Sequence, residues 1–250
     1  MTVLAHISDL HVDGGENSLR RVERTVAHLM GLRSGVDAVV VTGDVADHGT
    51  AEEYRLVREA LAPLHDRYPV LLCPGNHDVR GEFRAAFHGE RGDGPVDTVH
   101  DIGGVRVLMC DSSIPGRPEG LLEPETLRRL DDALADAPRT PAFVALHHPP
   151  LALGIPFVDR IALRAPQELA AVLRRHPQVA AVLCGHAHTA AATSFAGVPL
   201  RCAPAVAPTA LLPWERDPDG PWSSAEAPPA IMFHLHADGE PLTTHVRTVA

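Results

Sequence analysis

The sequence predicts an α/β protein with two sheets, and three observations point to it. Apolar runs of strand length alternate with helix-spaced patterns early in the chain, an order that builds βαβ units and a largely parallel sheet. Five such runs end on residue types that bind metals: 3–7 before Asp9 and His11, 38–41 before Gly43-Asp44, 70–73 before Gly75-Asn76-His77-Asp78, 143–146 before His147-His148, and 179–184 before Gly185-His186-Ala187-His188. Ligands of open α/β sheets bind beyond the carboxyl ends of the strands, so five such ends are expected to converge on one dinuclear metal centre. After His188 the helical patterns stop, which predicts a second, more antiparallel sheet.

Taken in order, residues 3–8 read as a buried strand followed by a turn at Asp13-Gly14-Gly15. Leu19, Val22, Val26, Leu29 and Met30 recur at helical spacing and predict an amphipathic helix to about Arg33. Gly35 ends it, and 36–42 is the second strand. Thr50-Ala51-Glu52-Glu53 fits a capping box, and Tyr54, Val57, Leu61 and Leu64 give the next helix its buried stripe. Tyr68-Pro69 stops that helix before the third strand. A short helix over 82–87, a Gly-rich loop and two strands paired across Gly103-Gly104 come next. Pro124 reads as the first residue of a helix, 141–147 as a strand, and Pro166 as the start of the last helix. Residues 149–165 lack periodicity and read as a loop over the site. Strands at 192–195, 198–202, 231–237 and 242–249 make up the second sheet. Residues 204–229, rich in Pro and holding Trp214 and Trp222, read as a long loop within a single domain spanning 1–250.

At 250 residues, 45% hydrophobic and 22% charged, the chain has the composition of a globular protein with a substantial core. The net charge is −10, and every one of the 22 basic residues is Arg. That balance, with no basic cluster, disfavours nucleic acid as a partner but not a small anionic substrate beside a cation. Cys73, Cys110, Cys184 and Cys202 form no C-x-x-C pair and lie in apolar runs, as buried thiols of a cytosolic protein do. Neither a leader pattern nor an apolar run near the ~18 residues of a membrane span is present, so a cytoplasmic protein without membrane contact is expected.

Asp9 and His11 are two apart, a spacing that lets both reach one ion from extended backbone, and His186 and His188 share it. Asp44 has no ligand neighbour in sequence, which makes its carboxylate the candidate bridge. Asn76 offers a carbonyl oxygen and His147 an imidazole. Mixed carboxylate and imidazole donors suit Mn, Fe or Zn better than Ca or Mg.

Asp9-x-His11, Gly43-Asp44, Gly75-Asn76-His77-Asp78, His147 and Gly185-His186-x-His188 together resemble the signature of the calcineurin-like metallophosphoesterases over residues 3–203. His147-His148-Pro149-Pro150 and the closing Gly-His-x-His are similar to the class III cyclic-nucleotide phosphodiesterases and their glycerophosphodiesterase relatives. The resemblance implies a four-layer α/β/β/α sandwich. It implies one metal on Asp9, His11, Asp44 and His188, and a second on Asp44, Asn76, His147 and His186. It also places His77 against the substrate, with Asp78 orienting it.

Two cations ~3.5–4 Å apart can clamp a phosphate oxygen and bring the pKa of a bridging water toward ~7, giving a hydroxide that attacks phosphorus in line. The expected activity is hydrolysis of small phosphodiesters, 3′,5′-cyclic nucleotides foremost, to 5′-monophosphates. A broad glycerophosphodiesterase is the alternative, and a non-catalytic metal-stabilised binding protein a further one. Phe157, Arg160 and Arg164 on the loop over the site, with His48 and His148, are candidate substrate contacts, and a homo-oligomer is compatible with the sequence.

Overall fold

The computed structural model describes residues 1–217 and 223–249. In chain order the elements are β1 (Thr2–Ile7), α1 (Glu16–Met30), β2 (Ala38–Thr42), α2 (Ala51–His65), β3 (Val70–Cys73), α3 (Arg80–His88), β4 (Thr98–Ile102), β5 (Val105–Cys110), β6 (Gly120–Leu121) and α4 (Pro124–Asp136). There follow β7 (Ala142–Leu146), α5 (Pro156–Arg160), β8 (Leu163–Arg164), α6 (Pro166–Leu173), β9 (Val179–Cys184), β10 (Ala191–Phe195) and β11 (Val198–Cys202). Then come β12 (Thr209–Ala210), a 3-10 turn over Pro213–Glu215, β13 (Ser224–Ala225), β14 (Ala230–His236) and β15 (Thr243–Thr248).

Two sheets stack face to face, one ordered β15-β14-β1-β2-β3 and the other β10-β11-β9-β7-β5-β4. Period-two alternation fixes which face each residue serves. On β2, Val39 and Val41 pack with Val22, Val57 and Leu61 of α1 and α2, while Ala38 and Val40 turn inward to Val107, Phe143 and Leu183 of the other sheet. Val144 and Val182 point outward to Leu130 of α4 and Leu169 of α6. The result is the four-layer α/β/β/α sandwich. The Thr50 capping box is present, with Thr50 accepting from Glu53 N (3.2 Å) and Glu53 from Thr50 N (3.0 Å).

Three sequence expectations need correction. The four strands after His188 do not form a sheet of their own. β10 and β11 extend the sheet of β9, whereas β14 crosses to lie antiparallel beside β1 and carries β15 to the edge. Both sheets are therefore mixed. The stretch 149–165 is not all loop: Pro156 starts α5, and Leu163–Arg164 pairs with Gly120–Leu121. Likewise 204–229 contains the pairing of β12 with β13; Trp222 lies outside the described residues.

Candidate metal centre

The parallel strands β1, β2, β3, β7 and β9 end at one rim, and the turns that leave them are stitched together. Asp9 N donates to Gly43 O (3.1 Å), His11 N to Asp44 O (2.9 Å), and Gly185 N to His147 O (3.0 Å). The backbone leaves the strands abruptly. Asp9, His11, Asp44, His186 and His188 all have φ between 44° and 70°, and they are five of the seven non-glycine residues with positive φ among the described residues. That conformation costs of order 1 kcal/mol per residue and collects where a site over-determines the backbone. The i, i+2 argument from extended chain is thus corrected: these side chains are aimed by left-handed turns. Asp9 and His11 do share a group, with His188, but His186 is directed instead to His147. Gly75 and Gly185 let the loops close, since a Cβ on Gly75 would collide with Asp44 Oδ1 and one on Gly185 with Ser8 Oγ.

Hydrogen bonds on the far side of three of the rings, those of His147, His188 and His11, decide what faces inward. Nδ1 of His147 lies 2.7 Å from Thr42 O and Nδ1 of His188 lies 3.2 Å from Pro208 O. Carbonyls only accept, so both Nδ1 atoms donate. Nδ1 of His11 donates in the same way to Asp47 Oδ1 at 2.7 Å. Three Nε2 atoms are left turned inward. Those of His11 and His188 are 3.0 Å apart, and that of His147 sits 3.1 Å from Asn76 Oδ1 and 3.1 Å from His186 Nδ1. Asp44 lies between the two groups: Oδ1 accepts His77 N (2.9 Å), and Oδ2 is 3.5 Å from His11 Nε2 and 3.2 Å from His147 Nε2. Asp9 Oδ1 is 3.4 Å from His188 Nε2.

These atoms are nearly all acceptors, brought together in the dry interior, and they call for positive charge. Burial alone would lower the His147 pKa, but Asp44 outweighs it and raises the value to about 9. Burial likewise opposes, and Asp47 and Asp44 reverse, the shift of His11, which is upward. His186 and His188 go the other way, held neutral by burial. Asp44 is held well below the carboxylate range because His147 and His11 overcome its burial. Protons and metal ions compete for such a place, so metal uptake releases protons. Two groups of donors, Asp9–His11–His188 and Asn76–His147–His186, joined by one oxygen of Asp44, have the composition and spacing to hold two metal ions.

A calcineurin-like phosphoesterase family model matches residues 2–190. The chain belongs to that family. It is 33% identical to the glycerophosphodiester phosphodiesterase GpdQ of Enterobacter lignolyticus, over 99% of this chain and 91% of that protein. It is also 33% identical to the 3′,5′-cyclic adenosine monophosphate phosphodiesterase CpdA of Pseudomonas aeruginosa, over 74% of this chain and 69% of the other. A dimetal phosphatase from Danio rerio shares the fold, with a TM-score of 0.68 and 16% identity across 100% of this chain and 99% of that one.

Around this phosphoesterase centre other sequence expectations fare unevenly. His77 stands exposed at the rim, its Nδ1 donating to the Asp47 carbonyl oxygen (2.8 Å). Asp78 does not orient it. Asp78 accepts from Gly75 N (2.8 Å), Ala46 N (3.2 Å) and Tyr54 Oη (3.1 Å), tying the β2 and β3 turns to α2. Burial and the nearby Asp44 raise its pKa to about 6. His77, Asn76, His186, His188, Pro118, Phe157, Val158 and Ile161 line a cleft of ≈ 300 Å³ above the centre, so Phe157 is placed against it.

Arg160 lies over the Phe157 ring at 5.8 Å. Arg164 instead pairs with Glu119 (2.7 Å), and His48 with Glu53 (2.7 Å), both apart from the cleft lining. His148 is buried, with Nε2 donating to Pro118 O (3.2 Å) and Nδ1 accepting from Ser112 Oγ (2.8 Å), so it anchors the 112–120 loop beneath His147. Asp47 was missed, although it stands three residues beyond Asp44 and beside His48. The carbonyls of Thr42 and Pro208 were invisible to motif reading, because backbone groups carry no sequence signal.

Proposed function

We propose that the chain is a dinuclear-metal phosphodiesterase acting on small anionic diesters, with 3′,5′-cyclic nucleotides as the leading substrates. The reading rests on one observation above others: the Nε2 atoms of His11 and His147, each fixed by an acceptor behind Nδ1, converge on Asp44 Oδ2, while that of His188, fixed in the same way, meets Asp9 Oδ1 and His11 Nε2. Asp9, His11 and His188 would hold one ion and Asn76, His147 and His186 the other, with Asp44 serving both through Oδ2. Mn, Fe or Zn fits these donors. When bound, the pair supplies a Lewis-acidic clamp for phosphoryl oxygens and an activated water.

The chain's own residues do the rest. Asp47 O holds the His77 Nδ1–H and leaves Nε2 toward the cleft, where in the imidazolium form the Nε2 proton can pass to the leaving alkoxide and leave the Nδ1–H imidazole behind. Asp78 keeps the two turns that carry Asp44 and Asn76 in register. Phe157 presents an aromatic face on which a base can stack.

A broad glycerophosphodiesterase is the second reading, favoured by the nearly full-length match to GpdQ. Incubation of Mn-loaded protein with cyclic AMP, glycerophosphoethanolamine and bis(4-nitrophenyl) phosphate separates the two. Cyclic AMP turned over with the highest kcat/KM supports the first reading, and glycerophosphoethanolamine preferred by tenfold or more overturns it in favour of the second. Turnover of none by protein holding two ions refutes both and leaves a metal-stabilised binding protein.

A further inference from the structure

Behind His147 a line of polar side chains runs through the layer between the sheets, which is otherwise filled by residues such as Leu4, Val40, Val107, Phe143 and Leu183. Its members are Thr244, His234, His6, Thr42 and Ser8, and both histidines are fully buried. Every proton in the line can be assigned by elimination. Ser8 Oγ donates to the Thr42 carbonyl (2.8 Å), so the Thr42 hydroxyl must supply the proton of its own 2.9 Å bond to Ser8 Oγ. His6 Nε2, 2.9 Å from Thr42 Oγ1, must then be the donor there. His6 Nδ1 is left to accept from His234 Nε2 (3.1 Å), and His234 Nδ1 accepts from Thr244 Oγ1 (3.0 Å). All bonds point one way, toward the Thr42 carbonyl oxygen that also receives the Nδ1–H of His147 (2.7 Å).

We propose that His6 and His234 are positioning residues of the metal centre, locking Thr42 so that its carbonyl aims Nε2 of His147 at the ion held by Asn76, His147 and His186. The inference rests on the ligand role proposed for His147. Two imidazoles in an apolar layer carry a desolvation cost that well-packed aliphatic side chains would avoid. A fully satisfied line of this kind fixes one geometry, and it ends on the partner of a ligand. Groups that hold a ligating imidazole from behind typically govern 10–100-fold of metal affinity.

Calorimetric titration of metal-free protein with Mn²⁺ reads the two binding steps separately. In Thr42→Val and His6→Phe the step belonging to His147 is expected to weaken by about tenfold or more while the other stays within about twofold. Thr42→Ser, which keeps the hydroxyl, should restore wild-type binding. His147→Ala identifies the step by abolishing it. Unaltered Mn²⁺ affinity at both steps in Thr42→Val and His6→Phe, even with a lowered melting temperature, would reduce the line to ordinary core structure. So would equal weakening of both steps. Retention of both steps in His147→Ala would remove the ligand assignment and the inference with it. If His6→Phe does not fold, the near-isosteric Thr42→Val decides alone.

Discussion

His6 and His234 carry a consequence for stability that is independent of catalysis. Burial lowers the pKa of both; for His234 the charge of Arg201 adds to it and the value falls to about 3. An unfolded histidine titrates near 6.5. Below that pH the unfolded chain binds more protons than the folded one, so stability is complete above ~6.5 and declines as pH falls toward 3. Metal-free protein should therefore lose up to roughly 1.4 kcal/mol per pH unit for each histidine between about pH 6 and pH 4. Urea titrations of His234→Gln should show a shallower decline; the same slope as wild type would contradict the neutral assignment. At this scale the ligand types were legible in the sequence, because Asp, Asn and His at strand ends announce themselves. Their aim was not. The left-handed φ of Asp9, His11, Asp44, His186 and His188 follows from turns stitched to distant loops, which no local spacing encodes.

The elements serve the centre unequally. Helix α2 reaches it through Tyr54, whose hydroxyl bonds Asp78 Oδ1 (3.1 Å) and receives Val79 N (2.9 Å). Sequence periodicity marked Tyr54 as core, correctly, but not the polar use of its tip. Tyr54→Phe should cost about 1–2 kcal/mol in thermal or denaturant unfolding, since Asp78 and Val79 lose a buried partner. A change under a few tenths would show the contact to be idle. Helix α5 is the other case: its five residues are too short for a periodic signal, so 149–165 reads as loop, yet it carries Phe157 to the cleft wall. If a base stacks there, Phe157→Ala should raise KM for cyclic AMP about fivefold with kcat little changed, as expected of a stacking contact near 1 kcal/mol. An unaltered KM would place the base elsewhere.

Across the whole molecule, two sheets meet with their parallel strands ending at a common rim, and the centre spans the seam. Asp9, Asp44 and Asn76 follow strands of one sheet, and His147, His186 and His188 follow strands of the other. Ions bound there would fasten the layers together. Chelation should then lower the melting temperature, and saturating Mn²⁺ at a thousandfold over Kd should return about 4 kcal/mol. A melting temperature indifferent to EDTA would mean the ions do not join the sheets. The βαβ order made a largely parallel sheet readable from sequence, and the four layers followed from the family resemblance that the strand-end motifs carry. The destination of the last strands was not, because β14 pairs with β1 across nearly the whole chain and its residues suit either sheet.

In the proposed centre one carboxylate oxygen, Asp44 Oδ2, serves two ions. Anomalous scattering from Mn-loaded crystals tests it most directly. Two peaks about 3.5–4 Å apart are expected to flank Asp44 Oδ2, one beside Asp9, His11 and His188 and one beside Asn76, His147 and His186. A single peak, or two peaks that do not share Asp44, would contradict it.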